Sequence, residues 1–152
     1  MLHRFEQFTG SIAAIAHHIH KIQRDEMEKL GLKGTYTQYL LALEQHPDGL
    51  TAAQLCKLYE ADKGAVSRIL SELEGHGLIS RIGSSYRAKL VLTQQGRQIA
   101  HLVIQRVILA TELANSGISN RDREIFYSVL KHFSTNIESI SKTGLPEKGA
   151  PL

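Results

Sequence analysis

Three helix-start signals fall within thirty residues of one another, and that spacing constrains this chain more than anything else in it. Thr35 precedes Gln38 by three, and Thr51 precedes Gln54 by three, the spacing of a capping box. Asp62 stands before DKGAVSRILSELE as an N-cap residue. PDG at 47–49 and GHG at 75–77 supply the stops. Three short helices are therefore predicted over about 35–46, 51–60 and 62–75. Strand-like LISRI at 78–82 and RAKLVL at 87–92 follow, with GSSY between them as a loop.

Long amphipathic segments flank this unit. Phe5, Phe8, Ile12, Ile15, Ile19, Ile22 and Met27 recur at spacings of three and four, which predicts one helix from about Leu2 to Leu30, with Gly10 inside it. Thr93 caps a second, from Gln94 to Asn115, with Ile99, Leu102, Val103, Val107 and Leu113 along one side. Ser119, with Asp122 three residues on, starts a third, striped by Ile125, Val129, Phe133, Ile137 and Ile140. The expected order is helix, three short helices, a two-stranded ribbon and two long helices. That makes a mainly α fold with a small β-hairpin wing: a winged helix-turn-helix flanked by long N- and C-terminal helices. The divisions are an N-terminal helix over 1–33, a winged lobe over 34–96, C-terminal helices over 97–142 and a tail over 143–152. The three long stripes exceed what the small lobe can cover, which predicts burial against a second copy.

Charge sharpens the reading. The net charge is +3 over 152 residues. Residues 51–97 hold seven bases (Lys57, Lys63, Arg68, Arg81, Arg87, Lys89, Arg97) and four acids (Glu60, Asp62, Glu72, Glu74). The whole excess is thus in residues 51–97, and the rest of the chain sums to zero. A local basic surface of this kind suits a polyanion. In the third short helix, Val66, Ile69, Leu70 and Leu73 form the core side. Lys63, Gly64, Ser67, Arg68 and Ser71 are left facing out, weighted to the first turns, where a helix carries free N–H groups and partial positive charge. In the winged plan that helix lies in the DNA major groove, where arginine reads guanine bidentately, and the wing touches backbone or minor groove.

At these residues the sequence resembles the MarR family of bacterial transcriptional regulators. The resemblance runs over almost the whole chain. It is carried by LTAAQLCKLYEADKGAVSRILSELEGHGLISR at 50–81 and RAKLVLTQQG at 87–96. It implies a homodimer that reads a pseudo-palindromic operator in double-stranded DNA, usually as a repressor. It also implies a small-molecule effector bound between the dimerisation helices and the winged lobe. By motif position Lys63, Gly64, Ser67 and Arg68 are groove or phosphate contacts, and Arg87 is the wing arginine. Ser71, Arg81, Ser85 and Lys89 complete the expected DNA-binding set. Family wings commonly carry an acid just before the arginine; SSY stands there here.

Other features point less far. Cys56, the lone cysteine, excludes an internal disulfide and fits a packed helix position better than a redox sensor. His17, His18 and His20, with His101, are the candidate effector-site residues, and a metal-responsive regulator of the same fold is the alternative they raise. A winged-helix module for protein interaction is the other alternative. No cofactor, metal site or catalytic motif is expected, so the chain is read as a non-enzyme. No apolar run approaches the ~20 residues of a membrane span, and no signal peptide is recognisable. Cytoplasmic residence is the resulting expectation.

Overall fold

A computed structural model describes residues 2–83 and 88–145. By its contacts the chain divides into two units, Met1–Leu109 and Ala110–Leu152.

The first unit opens with helix α1 (Leu2–Glu28), of which only Met27 is buried. The turn after it closes on the same residue, Leu32 N–H donating to the Met27 carbonyl at 2.9 Å. The expected capping box at Thr35 and Gln38 does not form. A 3-10 turn (Gly34–Tyr36) stands there instead, and helix α2 (Thr37–Gln45) begins after it without a side-chain cap. The cause is tertiary. Gly34 lies so close to α1 that a Cβ would meet the Arg24 backbone at 2.8 Å, and Tyr36 and Thr37 are drawn into the core.

The next two start signals behave locally, as read. Thr51 and Gln54 form both bonds of a capping box at the head of helix α3 (Ala52–Leu58). Asp62 Oδ1 accepts the Ala65 N–H at 3.0 Å at the head of helix α4 (Lys63–Gly75). Strands β1 (Ile79–Ile82) and β2 (Lys89–Leu92) pair antiparallel, Ile79 opposite Leu92 and Ile82 opposite Lys89. Leu50 adds an unpredicted third edge. It exchanges two backbone hydrogen bonds with Leu90, of 3.1 and 2.8 Å, so β2 is held from both sides.

Leu40, Leu43, Leu55, Val66, Leu70, Leu73, Leu78 and Leu90 form the centre of the core, each 2% exposed or less. Burying one such side chain stabilises by roughly 1.5–3 kcal/mol. Helix α5 (Gln94–Ala114) joins this core through Ala100 and Val103. Its start is tied down by Thr93, whose hydroxyl donates to the Gly77 carbonyl at 2.7 Å and accepts the Gly96 N–H at 3.0 Å. Thr93 N–H also donates to the Leu78 carbonyl at 3.0 Å. At this crossing a Cβ on Gly96 would come within 1.8 Å of the Leu78 oxygen, so no other residue fits.

In the second unit, helix α6 (Asn120–Thr143) starts at the expected Ser119 cap and has no buried residue. Ile125, Phe126, Val129 and Ile137 are each at least half exposed.

Candidate nucleic-acid interface

Helix α4 separates its two sides as the sequence predicted. Val66, Leu70 and Leu73 are buried. Lys63, Gly64, Ser67, Arg68 and Ser71 are exposed, with Lys63, Ser67 and Ser71 at successive spacings of four. Among the described residues no ion pair holds the Arg68 guanidinium. Gly64 has a local reason that the sequence reading missed: a Cβ there would stand 3.0 Å from Asp62 Oδ1, the atom that caps the helix. Lys89 is exposed on β2. Ser85 and Arg87 lie outside the described residues.

Arg81 is placed differently from a free cationic contact. Its Nε and Nη2 each donate to Glu74 at 2.8 Å, a bidentate pair joining the ribbon to the end of α4. The Arg81 side chain remains 43% exposed, so its outer edge still faces out. Glu72 is engaged too. Lys33 Nζ donates to its Oε1 at 2.8 Å, and the Tyr36 hydroxyl donates to its Oε2 at 2.7 Å. These partners hold the Glu72 carboxyl below the usual carboxylate range, Lys33 first and Tyr36 next, with the nearby Arg68 charge adding to them. Burial, and then the Glu72 bond, push the Tyr36 hydroxyl up to about 12, so it stays a donor. The carboxylates of α4 and its cap are thus all occupied within the lobe, and the outward side keeps its positive character. Neither pairing was legible beforehand, because Lys33 and Glu72 stand 39 residues apart and Glu74–Arg81 crosses from helix to strand.

The histidines do not converge. The His17 and His18 rings meet edge-on at 5.4 Å on α1. His101 Nε2 lies 2.9 Å from Glu44 Oε1, apart from them. Among the described residues no group of three His, Cys, Asp or Glu side chains is arranged to hold a metal ion. His20 alone of the four lines a cleft of about 690 Å³, together with Gln23, Arg24, Lys33, Thr35 and Gln38. His76 caps the end of α4 and meets Tyr36 edge-on. Cys56 is half-buried and packs against the core. Among the described residues no helix is long and apolar enough to cross a membrane.

Residues 30–87, which span the turn after α1, α2 to α4 and β1, match the MarR family model. Over these residues the chain is similar to the MarR family. MarR-family proteins are transcriptional regulators, not enzymes. The chain is 25% identical over 130 residues to YybA, an uncharacterized HTH-type transcriptional regulator of Bacillus subtilis (strain 168), covering 84% of this chain and 86% of that one. Its fold is similar to that of a MarR family transcriptional regulator from Listeria monocytogenes complexed with 26mer DNA. That pair has a TM-score of 0.80 and 23% identity over 92% of this chain and 97% of the other. A MarR transcriptional regulator from Methanosarcina mazei Go1 is similar at a TM-score of 0.77 and 19% identity, covering 88% of this chain and 91% of that one. The winged fold expected from the sequence is therefore the fold of MarR-family regulators.

Proposed function

We propose that this chain is a MarR-family regulator, a homodimer that binds a pseudo-palindromic operator in double-stranded DNA and represses transcription until a small molecule releases it. The observation that carries the DNA reading is the outward side of α4. Lys63, Ser67, Arg68 and Ser71 are exposed there, while each carboxylate of that helix is held by a partner within the lobe. Arg68 is the base-reading candidate; Lys63, Ser67 and Lys89 suit phosphate. The DNA complex of the Listeria relative supports the same use of the fold.

The homodimer reading rests on apolar surface. Phe5, Ile15, Ile19 and Ile22 on α1 and Ile125, Val129 and Ile137 on α6 are 48–63% exposed. An apolar stripe of this kind on each helix marks an association face. The ligand reading rests on the cleft beside α1, whose volume falls in the ordinary range for small-molecule sites and whose wall carries charges of both signs, Arg24 and Lys33 with Glu28, beside the polar Gln23, Thr35 and Gln38.

Binding of wild type and Arg68→Ala to a selected duplex and a scrambled one, over a salt series, tests the proposal. Wild-type affinity should fall steeply with salt. Arg68→Ala should cost roughly 1–3 kcal/mol and erase much of the preference for the selected duplex. Affinity that is flat in salt, or preference left intact by the substitution, would overturn the reading.

A further inference from the structure

We propose that Lys33 and Tyr36 form a clamp on Glu72 that keeps Arg68 available to DNA, and that losing the Lys33 charge passes Glu72 to Arg68. The inference rests on the DNA-binding reading above. Glu72 is the positioning residue in it; it touches no nucleic acid itself.

The geometry divides the two carboxylate oxygens. Oε2 is held by the Tyr36 hydroxyl at 2.7 Å, and Oε1 by Lys33 at 2.8 Å. Tyr36 is 1% exposed and fixed in the core, whereas the Lys33 side chain is 63% exposed. One oxygen therefore has a permanent partner and the other a removable one. Arg68 precedes Glu72 by four residues on α4, the spacing at which helix side chains of opposite charge meet. With Lys33 in place, Oε1 carries an ammonium that repels the guanidinium at that oxygen, so Arg68 acts on Glu72 only through its charge and is left to other partners. Without it, Oε1 is the nearest carboxylate oxygen one turn along. A guanidinium drawn back along its own helix leaves the surface that would meet a groove.

Lys33 also stands on the wall of the cleft beside α1, with Arg24 and Thr35. The removable half of the clamp is therefore reachable from the cleft, while the fixed half is not. The arrangement links a cavity wall to a helix face through one side chain and needs no movement of the lobe.

A double-mutant cycle on the full-length chain tests this, using a duplex selected from a random pool by the wild-type protein. Lys33→Met should weaken binding about two- to fivefold for each lobe, a range set by the worth of exposed ion pairs. It should leave thermal stability within a few degrees of wild type; Lys33→Gln serves where Met perturbs the fold. In a Glu72→Gln background the same substitution should have little effect, and in an Arg68→Ala background it should have none. Equal weakening by Lys33→Met in all three backgrounds would make Lys33 a plain phosphate contact and overturn the clamp. No weakening in the wild-type background would overturn it as well. Failure of the wild-type protein to select any duplex would instead refute the DNA reading itself.

Discussion

Replacing Gly96 by alanine adds one carbon at the tightest point of the lobe. The new Cβ would lie 1.8 Å from the Leu78 carbonyl oxygen and 2.8 Å from its carbon, both backbone atoms that no rotamer change can move. Relief requires the start of α5 to withdraw by about 1.5 Å, toward ordinary van der Waals separation. Three hydrogen bonds converge there: Thr93 N–H to Leu78 O, Gly96 N–H to Thr93 Oγ1, and Thr93 Oγ1 to Gly77 O. At about 1 kcal/mol each their loss costs about 3 kcal/mol, and residual overpacking adds 1–3 kcal/mol. The better helix propensity of alanine returns up to about 1 kcal/mol. The expected net loss is about 3–5 kcal/mol. Urea unfolding followed by circular dichroism at matched protein concentration reads it as a midpoint lowered by roughly 1–3 M. Gly75→Ala, in the last turn of α4 with nothing within 4 Å of its would-be Cβ, is the matched control and should be neutral or slightly stabilising. If Gly96→Ala unfolds at the wild-type midpoint, the close crossing of α5 over Leu78 is wrong.

Two further outcomes follow from titrating groups. Hydrogen bonds from Arg106 and Lys29 hold the Glu26 carboxyl at about 2, against an ordinary value of 4.5. A depressed folded-state value stabilises above the unfolded value and is lost as pH falls through the folded one. Glu26→Gln should therefore flatten the loss of stability between about pH 4.5 and 2, read by urea midpoints across that range. An unchanged slope would mean that α1 and α5 are not tied through this pair. Tyr36, pushed up to about 12 from an ordinary 10, has the opposite sign: its contribution is complete below pH 10 and is lost as pH rises through 12. Burial also pushes the Tyr59 hydroxyl up, so tyrosinate absorbance of the folded protein should show late ionisation whose amplitude Tyr36→Phe lowers by one group; an unchanged late amplitude would mean that Tyr36 is not the buried donor.

What the sequence disclosed and what it hid divide by distance along the chain. The caps at Thr51, Asp62, Thr93 and Ser119 depend on residues three positions away, and each forms as read. Thr35 carries the same local signal and fails, because Gly34 packs on the Arg24 backbone and the chain tightens into a 3-10 turn. The Leu50–Leu90 bridge has no signature, since a single residue shows no alternation. The outward residues of α4 were legible from periodicity alone. The partners that occupy Glu72 and Glu74 were not, because they come from other elements. Those partners decide which of the basic residues remain open: Arg81 is largely committed within the lobe, and Arg68 is not.

Helix α6 spans 24 residues without burying one. A helix in water draws most of its persistence from packing, not from its own hydrogen bonds. With a second copy as its cover, its order becomes a matter of reaction order. Each tenfold dilution then removes about 1.4 kcal/mol from the apparent stability of the pair. On the proposed homodimer reading, a newly made chain carries this helix bare until it meets another, and a growing cell that stops making the protein thins out both partners at once. The supply of folded regulator then falls faster than the supply of chain. Synthesis rate, as much as any ligand, would set how much of this protein is in a state to act.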